Sequence, residues 1–573
     1  VSKSKRNKDL LSFGIFGLSL IVLNLLFSGS FWRLDLTEEK RFSLSSTTKE
    51  LIRSIDDMLL VKVYLEGDFP PGFQKLQLES RRLLDEFRAY NPKIQYQFID
   101  PSEQESDEAR NEVYQQLQSK GLTPYQLETN ENGGRKLLQV FPGALLSLGE
   151  REIAVNILQA QLGQSPESQM NASIEKLEYT LASAIRKISS NSKPRIAFIE
   201  GHAELRPRFL ADLGRTLSEY YVVDRFNLRE FAVDSVTGQA SILAQLQRLN
   251  TYNLAFIAKP TKGFTDLDLY LLDQFIMAGG KAIWLLDMVH AEMDSLSQES
   301  EFLAYPLDEK LNLRNSLFRY GVRVNSDLVQ DLLAAGINDS REVLPWVYSP
   351  LVMPYVEHPI TKDLNGIRLE FASSVDTLEL AGVNKTILLQ SSPRSAASRS
   401  PHMVKLGTLY RPPTAEQLNR GPIPLAVLLE GEFPSAFMNR LSPKGENGQS
   451  LPLKEKSNKT QMLVIGDGDI AKNQLNVVNP NAPKGLPLPL GYDQFTGVQY
   501  GNKEFMLNAF DYLLDASGLM DLRGRELKIR LLDSSRRQSE RSYWIILNTA
   551  APIVILLLFT FLQNFIRRRR YSH

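Results

Sequence analysis

The chain has no cysteine, so disulfides, thiolate nucleophiles, cysteine-ligated zinc and an acylated N-terminal cysteine are all excluded. Histidine is nearly as scarce: five in 573 residues leave little for imidazole chemistry. No G-x-x-x-x-G-K-[ST] occurs, so any ATP-driven work must be powered by another chain. Net charge is missing as well, with 66 Lys and Arg against 66 Asp and Glu. The balance is uneven along the chain. Residues 1–9 carry +3 and residues 567–573 carry +4, which leaves −7 for everything between. Such a middle has no electrostatic reason to seek nucleic acid.

What the chain does have is a symmetric layout of apolar runs. Lys3, Lys5, Arg6 and Lys8 precede Leu10 to Phe27, and Arg567, Arg568, Arg569 and Arg570 follow Tyr543 to Ile566. Positive charge beside a hydrophobic span is retained on the cytoplasmic side. Both tails, 1–9 and 567–573, are therefore expected in the cytoplasm, with a large lobe held across the membrane between two spans. The run at 543–566 is long enough to cross the hydrocarbon core as a helix, even with Asn548, Pro552 and Gln563 in it. The run at 10–30 reads either as an uncleaved anchor or as a signal peptide with Ser28, Gly29 and Ser30 at its cleavage site. Its length and the aromatic pair Phe31 and Trp32 favour the anchor.

Segment 31–58 is juxtamembrane, and Thr47 with Glu50 has capping-box spacing for a short helix to about Ser54. In 59–190 the pattern predicts strand, helix, strand, helix, paired strands and helix, an order that resembles a thioredoxin-like domain. Without C-x-x-C it cannot do dithiol chemistry and reads as a scaffold. At Pro194 the pattern restarts. Short buried strands alternate with helices through 191–290 and again through 421–520, which predicts a doubly wound parallel sheet. Between them, 291–420 reads as a loop-rich insertion with strands, and 521–542 as a linker returning to the second span. The fold class expected is thus α/β.

Four local patterns suggest chemistry. His202-Ala-Glu204 matches the H-x-E half of a zinc deaminase, but the cysteine half is impossible here, and a loop after a strand explains it. Gly466-Asp-Gly468-Asp-Ile-Ala471 fits G-x-G-x-x-G/A, yet Asp467 and Asp469 would set two negative charges beside a pyrophosphate. Asp467, Asp469 and Asn473 are hard oxygen ligands that could hold a divalent cation, or simply a solvated turn. Asp287 stands at the strand-to-helix corner where a class I glutamine amidotransferase, whose fold this region resembles, carries its cysteine nucleophile. A hydrolase would instead need carboxylates such as Glu200, Glu204 and Asp287 to converge.

Several strings together carry a specific resemblance: RLDLTEEKRFSLSSTTKELI after the first span, then VKVYLEGDFPPGFQKLQLESRRLLDEF, GHAEL, GGKAIWLLD, HPITKDL and GDGDIAKNQ, with a terminal span. Taken over essentially the whole chain, they resemble the ABC-transporter auxiliary family, nearest its gliding-motility-associated branch in Bacteroidetes. The resemblance implies a non-catalytic subunit in a bacterial cytoplasmic (inner) membrane, working with a permease subunit and a separate cytoplasmic ATPase subunit, with a periplasmic lobe. It implies no catalytic residue, cofactor or metal. The alternative is an extracytoplasmic ligand- or glycan-binding module of the same transporter, and after that an envelope hydrolase. Partner contact is expected at the lipid-facing level. Asn548 and Gln563 are costly to present to lipid, and Arg33, Asp35, Glu38, Glu39, Lys40 and Arg41 form a mixed-charge collar, whose other reading is a solvated linker.

Overall fold

The computed structural model describes residues 13–19, 21–22, 43–67, 69–104, 106–131, 134–158, 166–190, 193–231, 241–296, 300–339, 342–354, 356–440, 443–444, 448, 450–515, 518–524 and 540–571. The chain divides into two compact units, a lobe that includes 42–525 and a second unit that includes 526–573. Residues 13–19 and 21–22 are helical. The expected collar residues Arg33, Asp35, Glu38, Glu39, Lys40 and Arg41 lie outside the described residues.

The lobe opens with α1 (Ser46–Arg53). Its cap is Ser45, whose Oγ accepts the Thr48 N–H at 2.9 Å, and not the expected Thr47. Ser45 has extended backbone there, the geometry a capping side chain needs, whereas Thr47 is already helical. The segment read as juxtamembrane ends inside a core: Leu44, Ile52 and Ile55 are buried, and the Asn91 amide donates to the carbonyls of Ile52 and Ile55 at 2.8 and 2.9 Å.

That core belongs to an α/β domain made of β1 (Leu59–Val63), α2 (Pro71–Tyr90), β2 (Ile94–Phe98), α3 (Asp107–Ser119), the hairpin β3 (Tyr125–Glu131) and β4 (Gly134–Val140), β5 (Gly143–Leu148), β6 (Arg151–Asn156), α4 (Pro166–Glu175) and α5 (Leu177–Ser189). Pro at the start of α2 needs no partner for the donor it lacks, and Phe73, Leu76, Leu84 and Phe87 form its buried stripe. Among the described residues the main sheet runs β2-β1-β5-β6, with β1 parallel to β2 and antiparallel to β5.

The second part of the lobe is built on β7 (Arg195–Glu200), α6 (Ala211–Ser218), β8 (Val222–Asn227), α7 (Ile242–Leu249), β9 (Leu254–Ala258), α8 (Asp266–Met277), β10 (Lys281–Leu285), β11 (Val383–Gln390), β12 (Pro424–Gly431), β13 (Thr460–Ile465) and α9 (Asn502–Leu514). The sheet order is β11-β12-β13-β10-β9-β7-β8 among the described residues. From β13 to β8 all neighbours are parallel, while β12 and β11 are antiparallel additions. Strands such as Leu254-Ala-Phe-Ile-Ala258, apolar at every position, are what a sheet covered on both faces demands. α7 and α8 cover one face, α6 and α9 the other.

The stretch 291–420, read as an insertion, is not separate from this sheet, because β11 pairs with β12 along its length. Nothing in Val383-Asn-Lys-Thr-Ile-Leu-Leu-Gln390 marks which strand it meets, since antiparallel pairing at that sequence distance is set by tertiary contacts. Much of the remaining stretch surrounds its own cluster of Leu328, Trp346, Tyr348, Phe371 and Val404, with Trp346 edge-on to Phe371 at 5.4 Å.

In the second unit, α10 (Arg541–Tyr571) contains a stretch, Arg541–Ile566, that is long and apolar enough to cross a membrane, with a mean hydropathy of 2.4 over its most apolar 18 residues. Asn548 and Gln563 are exposed along it.

Phe510 is fully buried between α9 and the sheet and meets Phe256 edge-on at 5.3 Å. Phe510→Ala is expected to cost the second domain about 3–5 kcal/mol, read as a lowered urea midpoint for unfolding of the lobe. A midpoint unchanged from wild type would show that α9 is not packed as described.

Candidate functional site

Open parallel sheets bind ligands outside the carboxyl ends of their strands, at the point where strand order reverses. Here the reversal falls at β7, with β8 on one side and β9 on the other. The loops that leave β7 and β9 are tied to each other across that point. Leu205 N–H donates to the Ala258 carbonyl at 3.0 Å, and the N–H groups of Thr261 and Lys262 both donate to the His202 carbonyl at 2.9 Å.

The His202 side chain fills the space these loops enclose. It is fully buried and stacks on Phe264, ring centroids 3.7 Å apart and planes 10° from parallel. Its Nδ1 lies 3.2 Å from Glu204 and its Nε2 3.0 Å from Asp268, which also meets Arg229 at 3.2 Å. Burial by itself would strip the ring of its proton, but the hydrogen bonds to Asp268 and Glu204 outweigh it and raise the pKa above the ordinary histidine value. Burial likewise pushes Asp268 up, yet His202 and the Thr265 cap bring it down to about 2. Glu204 is thus a partner of His202, placed to hold an imidazolium.

One strand over, the ends of β9, β10 and β13 converge on a second cluster. Lys259 follows β9 in the left-handed backbone region, φ 53°, and its ammonium lies 3.1 Å from Asp287 and 2.5 Å from Asp469. Asp469 also meets Lys472 at 3.2 Å, and Glu292 approaches Lys259 at 3.9 Å. Asp287 accepts the Gly468 N–H. Asp467 accepts two main-chain donors, Glu370 N–H at 2.8 Å and Asp469 N–H at 2.7 Å.

Burial raises the Asp287 pKa to about 6 despite Lys259. Burial and then the neighbouring charges of Asp287 and Asp469 drive the Asp467 pKa well above the ordinary carboxylate value, against the two main-chain N–H groups it accepts. Asp469 goes the other way: burial is overcome by Lys259 and Lys472, and it stays ionised. For Lys259 burial is overcome by Asp287 and Asp469, and the ammonium keeps its proton.

This geometry decides among the motifs. A Cβ on Gly466 would overlap the Ser373 carbonyl oxygen, and one on Gly468 would sit 2.7 Å from Lys259 Cγ and 3.0 Å from Asp287 Cγ. Both glycines are therefore required by protein packing, and no room is left for a pyrophosphate. Asp467, Asp469 and Asn473 do not share a common point. The Asn473 carbonyl oxygen accepts from Asp212 N–H at 3.3 Å while its amide donates to the carbonyls of Arg208 and Gln474 at 3.1 Å each. Glu200, Glu204 and Asp287 do not converge either, being engaged with Arg225, His202 and Lys259 respectively. Sequence reading passed over Lys259 and Asp268. The signal for Lys259 was present, a cation followed by Pro260 directly after an all-apolar strand.

Comparison with known proteins adds the following. Residues 193–509 match a family described as ABC-type uncharacterized transport system, and residues 38–147 match a domain of unknown function. An uncharacterized protein of Borreliella burgdorferi (strain ATCC 35210 / DSM 4680 / CIP 102532 / B31) is 20% identical over 584 residues, 99% of each chain. Among solved structures, the mmIFT52 N-terminal domain is similar over 56% of this chain and 96% of its own, with 13% identity and a TM-score of 0.31.

Two outcomes are expected of the clusters. Lys259→Met strands buried carboxylates without their cation and is expected to destabilise the lobe by about 3–5 kcal/mol, measured by urea denaturation; a change of under 1 kcal/mol would mean water reaches the cluster. For His202, the folded pKa is the higher one, so its contribution is complete below the ordinary value and is lost as pH rises through the raised value. For Asp268 the folded pKa is depressed, so its contribution is lost as pH falls toward about 2. Melting temperature followed from pH 5 to pH 10 should therefore decline on the alkaline side, and His202→Gln should flatten that limb.

Proposed function

The chain belongs to the ABC-type uncharacterized transport system family, which it matches over residues 193–509, more than half its length, and from that premise we propose that it is a non-catalytic, membrane-anchored subunit of an ABC transporter complex. The observation that carries the reading is Lys259, seated between Asp287 and Asp469 at the strand ends where a sheet of this kind would present a ligand or a nucleophile. On this reading the Lys259 ammonium stands where such a sheet would hold a substrate. Family membership implies other transporter components as partners, and the apolar α10 supports association with a membrane.

The finer reading follows the resemblance of the sequence to the gliding-motility-associated component GldG. In it the partners are a permease subunit and a cytoplasmic ATPase subunit, both termini are cytoplasmic, and the lobe is periplasmic. The strand order β2-β1-β5-β6 supports a thioredoxin-like first domain, and the five parallel strands with helices on both faces support an amidotransferase-like second one. Contact with the permease is assigned to the spans and to the collar of Arg33, Asp35, Glu38, Glu39, Lys40 and Arg41, with Asn548 and Gln563 facing protein at about 0.6–2 kcal/mol per interhelical hydrogen bond.

Tagged chain is expected to bring down the ATPase and the permease from detergent extracts, and joint replacement of Asp35, Glu38 and Glu39 is expected to release them while the lobe stays folded. Retention of both partners by that variant and by Asn548→Leu would move the contact elsewhere. Asp287→Asn, which keeps the shape of the cluster, should leave assembly and surface movement intact. Its failure in a folded, assembled protein would restore an enzymatic reading.

A further inference from the structure

Among the described residues the two main sheets of the lobe end on four edge strands, β2 and β6 in the first domain, β8 and β11 in the second. An edge strand offers unpaired main-chain groups to any other strand, and proteins protect such edges with charge, bulges or a covering segment. Three of the four are protected. β6 opens with Arg151 and Glu152 and is tied to the segment after α3, where Lys120 lies 2.7 Å from Glu152 and Thr123 N–H donates to the Asn156 side chain at 2.8 Å. β8 carries Asp224 and Arg225 at its middle. β11 carries Lys385, and its register with β12 shifts around Leu389. β2, Ile94-Gln-Tyr-Gln-Phe98, has none of these devices. It contains no charge, proline or glycine, its aromatic residues favour extended backbone, and no described strand pairs with its outer side.

The ladder with β1 fixes which groups face outward. Leu59 N–H donates to the Lys93 carbonyl at 3.0 Å and Ile99 N–H to the Val63 carbonyl at 2.9 Å, in a parallel register that sets Leu59 beside Ile94. The odd-numbered residues therefore bond inward, and the main-chain groups of Ile94, Tyr96 and Phe98 point away from the sheet. Ile94 N–H donates to the Asn91 carbonyl at 3.1 Å, while the N–H groups of Tyr96 and Phe98 have no acceptor among the described residues. The side chains around them are settled. Tyr96 and Phe98 meet edge-on at 5.9 Å, with Arg88 over the first ring at 5.0 Å and Arg81 over the second at 4.2 Å. Asp85 lies 2.7 Å from Arg88 and accepts the Tyr96 hydroxyl at 2.6 Å, so the cation beside the strand is already neutralised. Gln95 and Gln97 are exposed on the opposite face.

Any extended chain would satisfy the free donors, but the sequence of β2 selects one. Read from either end it runs apolar, Gln, Tyr, Gln, apolar, so an antiparallel copy centred on Tyr96 sets like against like. We propose that β2 pairs with β2 of a second copy of this chain about a two-fold axis at Tyr96, joining the two four-stranded sheets into one continuous sheet. On that axis each Tyr96 N–H donates to the second copy's Tyr96 carbonyl, and each Phe98 N–H to the second copy's Ile94 carbonyl, which uses both free donors of each edge. On the other face Gln95 stands opposite the second copy's Gln97, where the amide side chains meet as a cross-strand pair. A register shifted by one residue would aim outward-pointing groups at inward-bonded ones and lose these bonds.

The inference goes beyond the transporter reading and does not rest on it, because it is tested on the purified full chain without partners. Sedimentation equilibrium in density-matched detergent is expected to show a monomer–dimer equilibrium. Gln95→Lys with Gln97→Lys sets ammonium groups opposite one another at exposed positions, where folding is not at risk, and should weaken association at least about tenfold. Gln95→Lys with Gln97→Glu sets unlike charges opposite one another in this antiparallel register and should keep wild-type association. Because the chain has no cysteine, Tyr96→Cys on the axis should close a disulfide with its own copy on oxidation, whereas Gln97→Cys, displaced from the axis, should not. A monomer at every concentration, a dimer that the paired lysines leave unchanged, or cross-linking at 97 in preference to 96 would overturn the proposal. Protection of Tyr96 and Phe98 amides from hydrogen exchange only when the permease is added would give the edge to that subunit instead, and would overturn it too.

Discussion

An ammonium group buried among carboxylates at the ends of β9, β10 and β13 governs the architecture of the lobe. Removing such charges from water costs several kcal/mol each, and only close mutual pairing with further hydrogen bonds offsets it. The consequences spread outward from Lys259. Its left-handed backbone turns the chain out of β9, Asp287 fixes the Gly468 N–H, and the requirement for glycine at 466 and 468 follows from how tightly the turn after β13 packs on Ser373 and Lys259. Asp467 then accepts the Glu370 N–H, which connects the loop-rich stretch to the sheet. A cluster of this kind specifies one arrangement of four chain segments, whatever its net contribution to stability.

The parallel strands were legible because burial on both faces leaves an unbroken apolar run, a pattern that a single sequence displays openly. Leu254–Ala258 and residues 282–285 are such runs, whereas the capping box that Thr265 and Asp268 complete at the start of α8 went unread. Less was visible where partners are remote. β11 joins the sheet through contacts with β12 some forty residues away, and nothing local in Val383–Gln390 indicates it. The cap of α1 shows a smaller failure of the same kind: Ser45, Ser46, Thr47 and Thr48 are all capable caps, and only the backbone at Ser45 selects one.

The candidate site was half legible. Asp287, His202, Glu204, Asp467 and Asp469 stood out as polar residues at strand ends, and all of them lie in two buried clusters. Their partners Lys259, Asp268 and Arg229 did not stand out, and without the partners the acids looked available for chemistry. Pairing is a three-dimensional property, and a single sequence does not display it.

Helix α9 runs back along the sheet and delivers the chain at the amino ends of the strands, where Lys281 Nζ reaches the Leu513 carbonyl. Close by, Asp511 and Asp515 are held by Lys187 and Arg186 of α5, and Met520 by Tyr179. The chain from Asp511 to Met520 is therefore fastened to both domains at once. A force entering through α9 would therefore be shared between the two domains as shear along α5 and α9.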